Sequence, residues 1–124
     1  MNIVDSSGWV EHFIEGSNAD IFTALISEPD NLIIPTICVY EVFKRTLISF
    51  GDEKALQVAG VMSMGQVIDL DRELAIDAAR LSSETKMPMA DSIILATARA
   101  HNATLWTQDE HFKGFEGVQY VKKD

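Results

Sequence analysis

The apolar positions along the chain change their period repeatedly, and each change marks an element. "NIVD", residues 2–5, is a short apolar run closed by an acid, whereas in "SSGWVEHFIEG" Trp9, Phe13 and Ile14 recur at helical spacing and Gly16 can end the helix. The pattern predicts a strand and then a helix. A second helix, "ADIFTALISE", runs to the turn signal "PDN". "NLIIP" predicts a second strand stopped by Pro35, and a long helix then starts near Thr36 and continues through "CVYEVFKRTLISF" to Gly51. "DEKALQVAGVMSM" completes a helical hairpin, and "GQVIDL" predicts a third strand.

In "DRELAIDAARLSSETK" the helical period is expected to turn Leu74, Ile76, Ala78, Ala79 and Leu81 inward. Pro88 interrupts it, and "MPMADSIILATARAH" begins a further, mostly apolar helix whose first turn carries Asp91. "ATLWT" predicts a fourth strand, "QDEHF" a turn or short helix, and "VQYV" a last strand. Strands alternating with helices imply an α/β fold with a parallel sheet covered on both faces. No repeat, low-complexity tract or linker divides the chain, so residues 1–124 are read as one domain.

With 47% hydrophobic and 23% charged residues, the 124-residue chain has the composition of a domain that builds one core. A single cysteine, Cys38, allows no intrachain disulfide and fits a reducing compartment. The start "MNIVDSSGWVEHF" lacks a basic segment followed by an apolar one, and no apolar run reaches the roughly 18 residues that suggest a membrane span. A soluble, cytoplasmic protein without membrane association is expected. The net charge of −9 and pI of about 4.6 argue against broad electrostatic attraction to nucleic acid.

Functional groups of an open parallel sheet gather beyond the carboxyl ends of its strands. Asp5 closes the first strand, Asp109 follows the fourth, Glu41 lies in the second turn of the helix after strand two, and Asp91 opens the helix before strand four. Singly, each has an ordinary explanation. Asp5 and Asp91 suit helix N-termini, Glu41 has Lys44 and Arg45 as helical neighbours, and Asp109 suits a turn. Jointly they form an oxygen-only set of the kind Mg²⁺ or Mn²⁺ requires. Two carboxylates about 4 Å apart repel by roughly 4 kcal/mol at an effective dielectric near 20, a conflict that a cation removes. Such ions polarise phosphodiesters and activate water, so no nucleophilic side chain is needed.

The segments "IVDSSGWVEHF", "IPTICVYEVFKR", "MPMADSIILATARAH" and "LWTQDEHF" resemble, in order and over essentially the whole chain, the PIN-domain ribonucleases, particularly the VapC-type toxins of type II toxin–antitoxin systems. The resemblance implies a PIN-like fold with a parallel five-stranded sheet flanked by helices on both faces. It implies a metal-dependent endoribonuclease using Mg²⁺, with Mn²⁺ as an alternative. Asp5, Glu41, Asp91 and Asp109 would hold the metal, and Thr107 and Ser6 would orient the site through their hydroxyls. It further implies a VapB-type antitoxin as partner, a homodimer, and contact with DNA only through the antitoxin.

Lys44 and Arg45 are candidates for RNA phosphates near Glu41, with Lys86 and Arg99 as further ones. His12, His101 and His111 share no metal-ligand spacing, although His111 is close enough to Asp109 to reach substrate. Cys38 is expected to pack, as are Trp9, Phe13, Trp106 and most methionines. The hairpin from Val39 to Met64 carries more apolar residues than one buried face needs, among them Val42, Phe43, Leu47, Ile48, Phe50 and Leu56, which suggests a partner surface. Two alternatives fit less well: a phospho-receiver domain needs an acid after a central strand and a Lys after a later one, neither of which follows "NLIIPT" or "ATLWT", and a noncatalytic protein-binding module would have the acids as caps and surface charges.

Overall fold

The computed structural model describes residues 1–123. Its strands are β1 (Asn2–Val4), β2 (Ile33–Pro35), β3 (Gln66–Ile68), β4 (Thr104–Thr107) and β5 (Val118–Tyr120). The helices are α1 (Ser6–Phe13), α2 (Ala19–Ile26), α3 (Thr36–Phe50), α4 (Asp52–Met62), α5 (Arg72–Thr85) and α6 (Met89–Ala100). Two single 3-10 turns, Pro29–Asn31 and Glu110–Phe112, complete the order.

All strand pairs are parallel, but they do not form one continuous five-stranded sheet. β1, β4 and β5 form one ladder in that order, with Ile3 opposite Leu105 and Leu105 opposite Val118; β2 and β3 form another, with Ile34 opposite Val67. Among the described residues a single bridge, Asn2 with Leu32, joins the two. Strands of three or four residues contribute few ladder bonds, and between β1 and β2 the pairing falls to that one bridge.

The central strands are buried on both faces. Neighbouring strand residues point to opposite sides, and Ile3, Val4, Ile33 and Ile34 are all inaccessible. The helices that cover them pack as sequential pairs, α1 with α2, α3 with α4 and α5 with α6. Trp9, Phe22, Cys38, Ile94, Leu95 and Phe112 fill the core between. At Gly8 a Cβ would stand 2.6 Å from Phe22 and from Val4, so the glycine is what lets α1 lie this close to β1 and α2. Gly51, with φ of 90°, makes the left-handed turn that separates α3 from α4.

Several expected inward positions face water instead. α5 buries Leu74, Ala78 and Leu81, a single stripe at intervals of four and three, while Ile76 and Ala79 fall off that stripe and are exposed. Met62 and Met87 are core residues, but Met64 and Met89 lie at the surface. Trp106 is half-buried, with its indole N–H donating to the Asn2 side chain at 3.0 Å. On the α3–α4 hairpin Val42 and Val58 pack inward, leaving Tyr40, Ile48, Phe50 and Leu56 exposed. No helix among the described residues is long and apolar enough to cross a membrane.

Candidate metal centre

β1 ends by delivering Asp5, whose backbone N–H still donates to Trp106 of β4 at 3.1 Å. The side chain then caps α1. One carboxylate oxygen accepts from the Ser7 hydroxyl at 2.7 Å and the Gly8 N–H at 3.1 Å, and the other accepts from the Thr107 hydroxyl at 2.8 Å. Asp5 is 3% exposed, and burial pushes its carboxyl up to about 6. The bonds from Ser7, Thr107 and Gly8 offset part of that rise, and the charge of Asp109 adds to it.

Thr107, fully buried at the end of β4, connects this acid to the next. Its hydroxyl donates its one proton to Asp5 and accepts the Asp109 N–H at 2.9 Å. Asp109 in turn caps the 3-10 turn Glu110–Phe112, accepting the His111 N–H at 2.9 Å. Phe112 anchors that turn in the core, and the His111 ring folds back so that Nδ1 stands 3.1 Å from Asp109 and 3.2 Å from Asp91.

Asp91 enters from the first turn of α6, where Pro88 stands at the N-cap. Its carboxyl is also raised to about 6, first by burial, then by the charge of Asp109 and less by that of Glu41, with His111 acting in the opposite direction. Glu41 comes from α3 and accepts a 2.6 Å bond from the Ser6 hydroxyl, not an ion pair with Lys44 or Arg45. A short hydroxyl bond from the neighbouring helix start fixes the carboxylate at less conformational cost than a long flexible cation would. Lys44 instead lies 5.7 Å over the Tyr40 ring. Cys38, buried one turn before Glu41, has its thiol pushed up by burial and then by the charges of Asp5, Glu41 and Asp91. It is therefore no nucleophile, and its surroundings register how closely the three acids approach.

Asp91, Asp109 and His111 each present one donor atom within 4.8 Å of the others. Asp5 and Glu41 lie outside that group and act on it through charge, Asp5 also through Thr107. Among the described residues His111 is the one side chain able to carry positive charge that contacts these carboxylates. Two carboxylates and an imidazole make a donor set suited to a divalent cation, whose charge would oppose the burial, and then the like charge of Asp109, that raise Asp91.

A cleft of about 360 Å³ adjoins Glu41, with Ser6, Tyr40, Lys44 and Arg45 among its walls. Lys44 and Arg45 thus share an opening with Glu41, whereas Asp5, Asp91, Asp109 and His111 do not line it. Arg99 lies away from the acidic centre, since it stands in the last turn of α6, eight residues or about 12 Å along the axis from Asp91. Sequence reasoning missed Ser7 and read His111 only as a residue near Asp109 able to touch substrate. The spacing Asp-x-His in a turn anchored by Phe112, and the second serine of "DSS", were the available signals.

The PIN domain family model matches residues 3–118. Among solved structures, a toxin–antitoxin complex from Klebsiella pneumoniae is similar with a TM-score of 0.82 and 25% identity, covering 96% of each chain. VapC20 of Mycobacterium tuberculosis, described as a Sarcin-Ricin loop cleaving toxin, superimposes with a TM-score of 0.75 at 17% identity, over 95% of this chain and 98% of that one. VapBC2 from Rickettsia felis, bound to a DNA fragment from their promoter, gives 0.76 at 18% identity over 98% of both chains. No match was found among curated proteins. Because the match runs from within β1 to the first residue of β5 and takes in all four acids, the chain belongs to the PIN domain family.

Proposed function

We propose that this chain is the toxin of a type II toxin–antitoxin system and hydrolyses RNA phosphodiester bonds internally, using Mg²⁺ or Mn²⁺. The observation that carries this reading is the convergence of Asp5, Glu41, Asp91 and Asp109 from four separate elements, two of them with carboxyls raised to about 6, within a PIN domain. Asp91 and Asp109 would hold the cation, with Asp5 and Glu41 completing the negative field. When bound, the cation supplies polarisation of the phosphodiester and activation of water for attack.

The protein's own groups supply position. Thr107 locks Asp5 and Asp109 into one geometry through its single hydroxyl, and Ser6 fixes Glu41. Ser7 and Gly8 hold the far oxygen of Asp5, so that this acid cannot swing away. Lys44 and Arg45, which line the cleft beside Glu41, would bind phosphates of the RNA and offset the repulsion expected between RNA and a chain of net charge −9.

A VapB-type antitoxin is the partner that this reading implies. The Klebsiella relative is a toxin–antitoxin complex, and the Rickettsia relative is bound to DNA together with its antitoxin. Here the exposed apolar residues of the α3–α4 hairpin, Ile48, Phe50 and Leu56, offer surface for the antitoxin or for the second subunit of a homodimer. Contact with DNA would come only through the antitoxin, and the protein would act in the cytoplasm. The test is incubation of purified protein with total cellular RNA across Mg²⁺ and Mn²⁺ titrations. Discrete fragments that need the metal support the reading, and no cleavage by antitoxin-free protein at any concentration of either ion contradicts it.

A further inference from the structure

We propose that Nδ1 of His111 is a third ligand, beside Asp91 and Asp109, of the cation held at this centre, and that this nitrogen shifts the site's preference from Mg²⁺ towards Mn²⁺. The inference rests on the reading that the centre binds a divalent ion. It adds a residue outside the four acids and a consequence for ion choice.

The backbone puts the ring there. Asp109 caps the 3-10 turn, and Phe112, without accessible surface, pins the turn to the core. His111, between them, is left with its side chain 63% exposed yet with Nδ1 directed at both carboxylates. The two separations, 3.1 and 3.2 Å, are nearly equal. One N–H hydrogen bonds best when aimed along a single donor–acceptor line, so a nitrogen equidistant from two oxygens on different residues is a compromise as a donor. As one corner of a coordination shell it is not. Neighbouring corners of an octahedron with bonds of about 2.1 Å lie about 3.0 Å apart, close to both observed separations. Ligation needs the Nδ1 lone pair, which leaves Nε2 of the exposed ring to carry the proton.

Ion choice follows from donor chemistry. Carboxylate oxygens serve Mg²⁺ and Mn²⁺ alike, whereas an imidazole nitrogen is a poor donor for the hard, oxygen-seeking Mg²⁺ and a better one for the first-row transition ions, of which Mn²⁺ is the weakest binder. A purely acidic centre would discriminate little. Substituting a nitrogen for an oxygen or a water favours Mn²⁺ without excluding Mg²⁺.

The experiment uses the full chain, purified free of partner and loaded with Mn²⁺ alone, and reads pulsed EPR for ¹⁴N modulation of the Mn²⁺ signal. Mn²⁺ and Mg²⁺ affinities are measured calorimetrically in the wild type, His111→Ala, His111→Gln and Asp91→Asn. Expected are ¹⁴N modulation in the wild type that is lost in both His111 variants, and Mn²⁺ binding weakened by roughly ten- to a hundredfold, the range that even outer partners of a metal site command. Mg²⁺ affinity should change far less. Because the side chain is largely exposed, both variants should melt with the wild type, and Gln separates loss of the nitrogen ligand from loss of bulk. Mn²⁺ that binds without ¹⁴N modulation, or binds as tightly or more tightly to His111→Ala, overturns the inference and makes His111 a counter-charge, with the acidic centre intact. If the wild type binds no Mn²⁺, or binds it no better than Asp91→Asn, the metal-centre reading itself fails and this inference with it.

Discussion

Replacing Asp5 by Asn should stabilise the metal-free protein at neutral pH and lose that advantage in acid. In the folded chain the Asp5 carboxyl titrates near 6, against 3.8 when unperturbed, because burial outweighs its three hydrogen bonds. Between those values the folded state retains a proton that the unfolded state has released. Raising the pH through this window therefore lowers stability, and the penalty is fully present above the folded value and nearly absent below the unfolded one. At pH 7 the penalty is about 3 kcal/mol and at pH 4 only about half a kcal/mol, from 2.303RT per pH unit over the difference. Asn carries no such penalty, but its NH₂ can only donate, so one of the bonds accepted from Ser7, Gly8 or Thr107 is lost at a cost of about 1 to 2 kcal/mol at either pH. The stability of Asp5→Asn relative to wild type should thus improve by about 2 kcal/mol between pH 4 and pH 7. Urea melts with EDTA at the two pH values measure it. A difference between the proteins that is the same at both, or that favours wild type more at pH 7, would refute the claim that the buried acid is strained by its charge.

Other expectations follow from individual contacts. Thr107→Val keeps the shape but strands one Asp5 oxygen and the Asp109 N–H, so it should lose about 2 to 3 kcal/mol in denaturant melts together with RNA cleavage. Gly8→Ala forces a methyl to within 2.6 Å of Phe22 and Val4 and should cost about 1 to 3 kcal/mol; an unchanged melting curve would mean that α1 is free to shift. Phe50→Asp, at a position 62% exposed, should leave stability within about 0.5 kcal/mol while weakening capture of the antitoxin or of a second subunit. If both associations survive, the hairpin is not the partner surface.

The order of strands and helices was legible because each change of period in the chain is a change of element. "SSGWVEHF", "TICVYEVFKRTLISF" and "MADSIILATARA" form the helices their spacing implies. The break between β1 and β2 was not legible, since strand pairing is a long-range matter and three-residue strands carry no sign of which neighbour they will keep. For α5, the apolar residues Ile76 and Ala79 suit a helix as well as Leu74 does, and only packing against α6 decides which stripe is buried.

At the site, position after a strand or at a helix start placed Asp5, Asp91 and Asp109, yet each also reads as a cap. Both are true of Asp5, which caps α1 with the same carboxylate that faces Thr107. Their assembly was implied by the family resemblance, not by spacing. Glu41 sat beside Lys44 and Arg45 in sequence and bonds Ser6 in space, because a rigid hydroxyl 35 residues away in the chain lies nearer than the mobile ends of its helical neighbours. His111 could not be oriented from sequence, since the direction of its ring depends on how Phe112 seats the turn.

On the proposed function, Asp91 and Asp109 hold one cation that RNA cleavage requires. The most direct test measures Mg²⁺ affinity and the rate of RNA cleavage on the same preparations of wild type, Asp91→Asn and Asp109→Asn. Each substitution should weaken Mg²⁺ binding and abolish cleavage together, while the fold persists in EDTA. Cleavage that continues at the wild-type rate in a variant that no longer binds the ion would contradict this reading.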